Sequence, residues 1–238
     1  MTQLTTVKAG DLLLKPGEQP LSVGLAERIS AGATGASTVT HLTDGRTQVI
    51  VDTGFGLESN MSPAWKTRNL KALESVLAGK GIWPDRIDCV FITHWHRDHF
   101  GNLTLFRNAR ILTEEQAYDT RFKDGRFCNY LRAIEKIDVG RIEPVRSGDE
   151  IVDGVRVVST PGHTIDHASL LVTTEIGVVA VAGDAVLDEA GYRQRAVWNH
   201  NPDFFSAEAV LETYRMLGET ASAIVPGHGQ LFSLSTGS

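Results

Sequence analysis

His94-Trp95-His96-Arg97-Asp98-His99 sets three imidazoles and a carboxylate into one short string, directly behind the apolar run Cys89-Val90-Phe91-Ile92. Neutral imidazole nitrogens and carboxylate oxygens are the donors that borderline divalent cations prefer, and one ion needs several of them converging. Without a metal, the same groups would repel one another or need separate partners. The string therefore predicts a metal-binding loop at the end of a strand. If the chain is still extended at Thr93, alternation points His94 and His96 to one side, where both can hold one ion. Asp98 and His99 then fall on the turn that follows and can face a second ion, with Phe100-Gly101-Asn102-Leu103 opening a helix. Trp95 points away from its flanking ligands, so packing is its expected role.

The pattern recurs further along. His163 stands in Ser159-Thr160-Pro161-Gly162-His163-Thr164 after the strand-like Val155-Arg156-Val157-Val158. Asp184 follows the apolar run Val178 to Gly183, and His228 lies in Pro226-Gly227-His228-Gly229 after Ala223-Ile224-Val225. Each sits where a short apolar strand meets a Gly or Pro loop, so separate strand ends can deliver ligands to one rim.

These strings, in this order and preceded by Val51-Asp52-Thr53-Gly54, resemble the motifs of the metallo-β-lactamase superfamily of hydrolases. The resemblance runs from about residue 38 to about residue 230. The order Asp52-Thr53-Gly54, a helix, then Thr-His-x-His-x-Asp-His-x-Gly-Asn-Leu-x-Leu-Phe, with Leu14 to Gly17 near the amino terminus, is similar to the group called metallo-beta-lactamase domain-containing protein 1. Characterised members of that group are RNA-processing nucleases. The resemblance implies an α/β fold (α+β in some schemes) built as a four-layer αββα sandwich. Patterning alone supports only a layered α/β protein.

Carried over motif by motif, the resemblance implies that His94, His96 and His163 hold one metal and that Asp98, His99 and His228 hold a second. Asp184 bridges them, at the position where the B1 β-lactamases carry a cysteine. Asp98 and Asp184 are also the candidate catalytic carboxylates. The implied cofactors are two divalent ions per chain, zinc by expectation, with iron or manganese as alternatives. Water held between two cations about 3.5 to 4 Å apart loses its proton near neutral pH. The resulting bridging hydroxide suits hydrolysis of small esters, lactones, thioesters or β-lactam-like rings. The rival readings are a phosphodiesterase or ribonuclease, an iron-dependent oxidoreductase like the persulfide dioxygenases, and a non-enzymatic binding module, which the intact ligand set disfavours. A carboxy-terminal helical domain like that of glyoxalase II is not expected, which lowers that thioesterase assignment.

Other residues are candidates for support or substrate contact. Asp52, at a strand end, can accept the free N–H of a metal-bound imidazole or simply close an Asx-type turn. His167 can brace the ligands or sit on a strand edge, and His41 lies inside a predicted strand. Residues 185–205 follow Asp184 directly and carry Tyr192, Arg193, Arg195, Trp198, His200 and two phenylalanines. That makes them the candidate pocket wall, with Trp198 among the aromatics for apolar contact, His200 able to enter the pocket and the arginines available for an anionic group; the alternative is an ordinary surface loop leading into the helix at Ser206.

At 238 residues, 42% of them hydrophobic and with 23 glycines, the chain suits one loop-rich enzyme domain spanning 1–238. A net charge of −6 offers no sign of the basic surface that nucleic-acid binders need, which favours a small-molecule substrate. The two cysteines make no disulfide framework, and Cys89 reads as a core residue. No basic region followed by an apolar stretch opens the chain, and no run approaches membrane length, so a cytoplasmic location is expected.

Strands are expected at Asp11 to Lys15, Ser37 to Leu42, Thr47 to Asp52, Cys89 to Thr93 and Arg110 to Leu112. A second group is expected at Glu150 to Asp153, Val155 to Thr160, Ser169 to Thr174, Gly177 to Ala182 and Ala223 to Val225. Hairpin turns are read at Asp44-Gly45, Asp153-Gly154 and Glu175-Ile176. One helix starts at Ser62-Pro63, carries the stripe Leu70, Leu73 and Leu77, and ends at Gly79 or Gly81. Another starts at Ser206 and stops at Gly218. The stretch Ser30 to Ser37 reads as a surface connection, or alternatively as a mobile flap near the metals.

Overall fold

Alternation along the short apolar runs decides the layers. The computed structural model describes residues 1–13, 34–54, 63–123, 125–199 and 201–234. Its first half holds strands β1 (Gln3–Lys8), β2 (Asp11–Leu13), β3 (Thr34–Ala36), β4 (Val39–Thr43) and β5 (Gln48–Val51), then helix α1 (Pro63–Gly79). There follow β6 (Cys89–Ile92), α2 (Arg97–Phe100), β7 (Arg110–Glu114), α3 (Glu115–Phe122), α4 (Arg126–Tyr130) and β8 (Ile142–Val145). The second half holds β9 (Glu150–Val152), β10 (Val155–Ser159), β11 (Ala168–Thr174), β12 (Gly177–Gly183), α5 (Glu189–Arg193), α6 (Ala207–Thr220), β13 (Ala223–Pro226) and β14 (Phe232–Ser233). One six-stranded sheet has the order β1-β4-β5-β6-β7-β8 and the other β14-β13-β12-β11-β10-β9, while β2 and β3 pair by themselves.

All four residues of β6 are buried, as a central parallel strand covered on both faces must be. Cys89 and Phe91 turn toward the other sheet, where they meet Leu170, Val172, Val179, Val181 and Val225. Val90 and Ile92 turn outward into a cluster with Leu73 and Leu77 of α1. In β12 and β13 the same period places Val179, Val181 and Val225 between the sheets and Ala180, Ala182 and Ile224 outside. The small alanines let α6 approach closely with Val210, Tyr214 and Leu217, one stripe at helical spacing. The result is four layers, helix, sheet, sheet and helix, as the αββα expectation requires.

Expected elements are largely in place, with instructive exceptions. The three hairpin turns join β4 to β5, β9 to β10 and β11 to β12. α1 ends at Gly79, while its expected cap Ser62 lies outside the described residues, as do Leu14 to Gly17 and residues 14–15 of the first expected strand. Ser206 caps α6 by accepting a 3.3 Å bond from the Ala209 N–H, but the helix runs on to Thr220 instead of stopping at Gly218. Gly218 is there for space, since a Cβ would come 2.8 Å from the Tyr192 hydroxyl. The helix expected at Phe100 begins earlier, at Arg97. β1, β3, β8 and β14 were not foreseen. None of the described helices is long and apolar enough to cross a membrane.

The surface-connection reading of residues 30–37 fails in its described part. Ala36 and Ser37 are buried, Ser37 Oγ donates to the Asp98 carbonyl at 2.8 Å, and the Ala36 carbonyl lies 3.1 Å from His228 Nδ1. This segment braces the ligand loops. Its short polar side chains hide that role, because the contacts are made largely through the backbone.

Candidate metal centre

Register brings the ligands together. β5 and β6 are parallel with Val51 opposite Phe91, so Asp52 and Thr93 emerge side by side at their carboxyl ends. β12 and β13 are parallel with Gly183 opposite Pro226, which sets Asp184 beside Gly227-His228. Open sheets bind ligands at such carboxyl ends. Gly183 has φ +51° and a Cβ there would meet Thr93 Oγ1 at 2.6 Å. A Cβ on Gly227 would run into Asp184 Oδ1. Both glycines are therefore required by the closeness of the two ligand loops.

The structure collects the expected ligands into two sets, His94, His96, His163 and Asp184 in one and Asp98, His99 and His228 in the other. Within each set, the donor atoms lie within 4.8 Å of one another. Asp184 faces both. Its Oδ2 is 3.3 Å from His163 Nε2 and 3.9 Å from His94 Nε2, while its Oδ1 is 3.2 Å from His99 Nε2 and 3.4 Å from His228 Nε2. Asp98 Oδ2 stands 3.4 Å from His228 Nε2 and 3.7 Å from His99 Nε2.

The far side of each ring shows which nitrogen is left for a metal. Asp52 accepts the Thr93 N–H at 2.9 Å, the Thr93 hydroxyl at 2.8 Å and His99 Nδ1–H at 2.7 Å. Because the Thr93 hydroxyl proton is committed to Asp52, its oxygen must accept from His94 Nδ1 at 3.1 Å. His228 Nδ1–H donates to the Ala36 carbonyl. In these three rings Nδ1 is tied to the protein and Nε2 converges on the cluster. His96 is reversed, with Nε2 tied to Asp203 at 2.7 Å and Nδ1 facing His163 Nε2 at 3.0 Å. His94 Nε2 is buried with no hydrogen-bond partner, and His99 Nε2 and Asp184 Oδ1 are buried facing only each other, 3.2 Å apart, and their neighbours in the cluster. Buried polar atoms are rarely left so, and lone pairs aimed at one another fit a cation between them.

Charge balance makes the same demand. Burial disfavours a proton on His94, reinforced by the neighbouring imidazoles His99, His96 and His163, and its pKa lies well below the usual histidine value. Burial likewise pushes His163 down to about 3. Burial also opposes charge on His99 and His228, but the carboxylates outweigh it. Asp184, Asp52 and Asp98 hold His99 well above the usual range, and Asp184 with Asp98 lifts His228 to about 10. Burial would raise Asp184, yet His99, His228 and His163 keep it well below the ordinary carboxylate value. The buried carboxylates thus require positive charge nearby, which divalent cations can supply in place of protons.

The supporting candidates fall on both sides of expectation. Asp52 touches His99 as anticipated and pays for its position with φ +54°, a left-handed conformation for a residue with a side chain. His167 is buried behind the cluster and accepts the Ala185 N–H at Nε2, 3.2 Å away. Its Nδ1–H must then donate to Thr160 Oγ1 at 2.8 Å, Thr160 to Ser169 Oγ at 2.8 Å, and Ser169 to the Ala182 carbonyl at 3.1 Å. This chain runs in one direction and locks the turn that presents Asp184. Burial drives the His167 pKa to about 3, consistent with the neutral ring that the bonds require. Trp95 packs among Phe100, Phe122 and Phe127 and donates to Thr113 Oγ1 at 2.9 Å. His41, in β4, bonds Gln48 of β5 and belongs to neither ligand set.

A cavity of about 220 Å³ opens over the cluster, lined by Leu187, Trp198, Asn201 and Pro202 together with Arg97 and the ligands His96, Asp98, His163, Asp184 and His228. Of residues 185–205, Leu187, Trp198, Asn201 and Pro202 line this cavity, and the other described side chains expected there do not. Arg193 pairs with Glu189 and the Ser233 carbonyl, and Arg195 is exposed. Tyr192 packs on Tyr214 and Phe232, Phe204 packs on the α6 cluster, and Phe205 is exposed. His200 lies outside the described residues. Sequence reasoning missed Asp203, Arg121, Asn201 and Arg97 near the site. The position of Arg97 between two candidate ligands, and that of Asn201 and Asp203 within residues 185–205, are the signals that could have found those three.

Residues 32–228 match the model of the metallo-beta-lactamase superfamily, and the chain belongs to that family. Metallo-beta-lactamase domain-containing protein 1 of Xenopus laevis is 34% identical over 157 residues, which cover 66% of this chain and 60% of that protein. Its namesake in Homo sapiens is 30% identical over 164 residues, 68% of this chain and 54% of the relative. The match thus spans little more than half the length of these relatives. Among solved structures, an N-acyl homoserine lactone hydrolase with N-hexanoyl-L-homoserine bound at its catalytic metal centre has a TM-score of 0.64 and 20% identity, covering 95% of this chain and 92% of that one. That likeness establishes the fold. By family, fold and donor set, the chain is a metallo-beta-lactamase superfamily protein with His/Asp clusters suited to divalent metals.

Proposed function

We propose that the chain, read as one domain over 1–238, is a hydrolase working with two divalent cations, zinc the expected metal, on small ester, lactone, thioester or β-lactam-like substrates. The observation that carries this reading is the orientation of Asp184, whose two oxygens face separate groups of histidines. His94, His96 and His163 would hold one ion, Asp98, His99 and His228 the other, with Asp184 shared. Such ions supply Lewis acidity and lower the pKa of water toward neutrality.

The chain's own residues do the rest. Leu187, Trp198 and Pro202 form an apolar wall that excludes bulk water and strengthens the electrostatics inside. Asp98 and Asp184 are the carboxylates in the described lining, and so the groups placed to take a proton from attacking water. A cavity of about 220 Å³ admits a compact reacting group. It lies below the roughly 300–1,000 Å³ of pockets that enclose drug-sized ligands. Arg97 is the one arginine or lysine in that described lining, and it already pairs with Glu135 at 2.9 Å, which offers a phosphodiester backbone little. The ester and lactone class agrees with the activity in the name of the lactone hydrolase neighbour.

Elemental analysis of purified protein, paired with turnover of ester, lactone, thioester, β-lactam, phosphodiester, RNA and persulfide substrates, tests this proposal. We expect two metal equivalents and turnover confined to the acyl substrates, nearly abolished in His163→Ala and Asp98→Ala while the fold persists. One iron per fully active chain with persulfide oxidation, or turnover of RNA alone, would overturn it.

A further inference from the structure

We infer that Asp203, clamped by Arg121, is a positioning residue that fixes the tautomer of His96 and thereby selects Nδ1 as its metal donor. The inference rests on the metal-centre reading above but uses residues outside every motif of the sequence. His96 is the one ligand whose Nε2 turns away from the cluster, and there it meets Asp203 Oδ1 at 2.7 Å. A carboxylate accepts only, so the single N–H of the neutral ring must lie on Nε2. Nδ1 then keeps its lone pair, aimed at His163 Nε2 3.0 Å away and at the cluster.

A carboxylate on a flexible loop would hold that choice poorly, and Asp203 is held by two further partners. Asn201 Nδ2 donates to Oδ1 at 3.1 Å and also to the His163 carbonyl at 2.8 Å. Arg121, from α3, donates through Nη2 to Asp203 Oδ2 at 2.9 Å and to Asp166 Oδ1 at 3.1 Å, and through Nε to Asp166 Oδ2. Asp166 is buried in the turn that follows His163. The guanidinium fork therefore ties the His96 partner to the loop presenting His163. Two ligands distant in sequence share one brace, and fork geometry is what arginine supplies and lysine does not.

The test uses Asp203→Ala, Asp203→Asn and Arg121→Lys. Zinc affinity is measured by competition with a chromophoric chelator, and long-range proton–nitrogen correlation spectra of metal-free protein report the His96 tautomer. Supporting partners of ligating histidines typically contribute 10–100-fold in metal affinity. We expect Asp203→Ala to weaken one zinc by about that factor and to release the Nε2–H preference. Asp203→Asn, whose amide oxygen still accepts, should recover most of both, and Arg121→Lys should fall between. In the Asp203→Ala background, Arg121→Lys should add nothing to the change in the His96 tautomer. Wild-type zinc affinity and an unchanged His96 tautomer in folded Asp203→Ala would overturn the inference while leaving the dinuclear site intact. A wild-type protein that binds no divalent metal would overturn both.

Discussion

Replacing Asp52 separates the stability of the metal-free fold from its capacity to hold metal. Asp52 is 2% exposed and accepts from the Thr93 N–H, the Thr93 hydroxyl and His99 Nδ1–H. Asp52→Ala strips all three buried donors of their partner, and each unsatisfied donor costs about 1–3 kcal/mol. A methyl group at φ +54° adds strain that aspartate tolerates better. Without relaxation the donors alone would cost about 3–9 kcal/mol; water entering the vacated space recovers part, so about 3–5 kcal/mol is the expected loss. Asp52→Asn keeps an oxygen for Thr93 but no longer provides the anion that fixes His99 Nδ1–H. Its stability should fall by only about 1–2 kcal/mol. Its metal affinity should fall by about 10–100-fold, because His99 loses the partner that orients Nε2. Denaturant unfolding of metal-free protein gives the first quantity and chelator competition the second. Wild-type metal affinity in Asp52→Asn, or a loss under about 1 kcal/mol in Asp52→Ala, would refute the reasoning.

Burial raises the Cys89 thiol to about 11, whereas Cys128 is only half-buried, so a thiol reagent at pH 8 should label one cysteine quickly and the second only on unfolding. The unfolded Cys89 ionises first, near about pH 8.5, so its contribution to stability is full below that pH and declines as pH rises toward 11. Rapid labelling of both cysteines in native protein would contradict this. Gly227→Ala drives a methyl into Asp184 Oδ1 and should cost about 1–3 kcal/mol along with most of the bound metal, measured by melting and elemental analysis. Trp198→Leu should change KM or substrate preference by about tenfold or more at constant metal content, since Trp198 walls the cavity without belonging to either ligand set. Identical kinetics across the substrate panel would remove Trp198 from the pocket wall.

The candidate ligands and their strands were legible because the donor residues and the fold use the same segments. β6 is an apolar run ending in a string with few uses besides metal binding, and the Gly-rich turns after β12 and β13 mark the other ligands. The outer strands were harder. β8 contains Pro144 and alternates weakly, and β14 is only two residues long, so neither carries a period that separates it from a loop. Gly218 read as a stop because glycine usually ends helices, whereas here it makes room for Tyr192. The meeting of Asp203, Arg121 and Asp166 was invisible for a different reason. They come from three separate segments, and only the folded chain shows that their charges meet.

His94, His96, Asp98 and His99 hang from the first sheet, while His163, Asp184 and His228 hang from the second. Ions shared among them would fasten the sheets across the apolar layer that divides them. Binding to the native state alone adds about 4 kcal/mol for each site at a thousandfold excess over its Kd. That is a large fraction of a domain's net stability of about 5–15 kcal/mol. Metal scarcity would then act first on the survival of the molecule, as unloaded chains part along this division and meet proteases sooner than loaded ones.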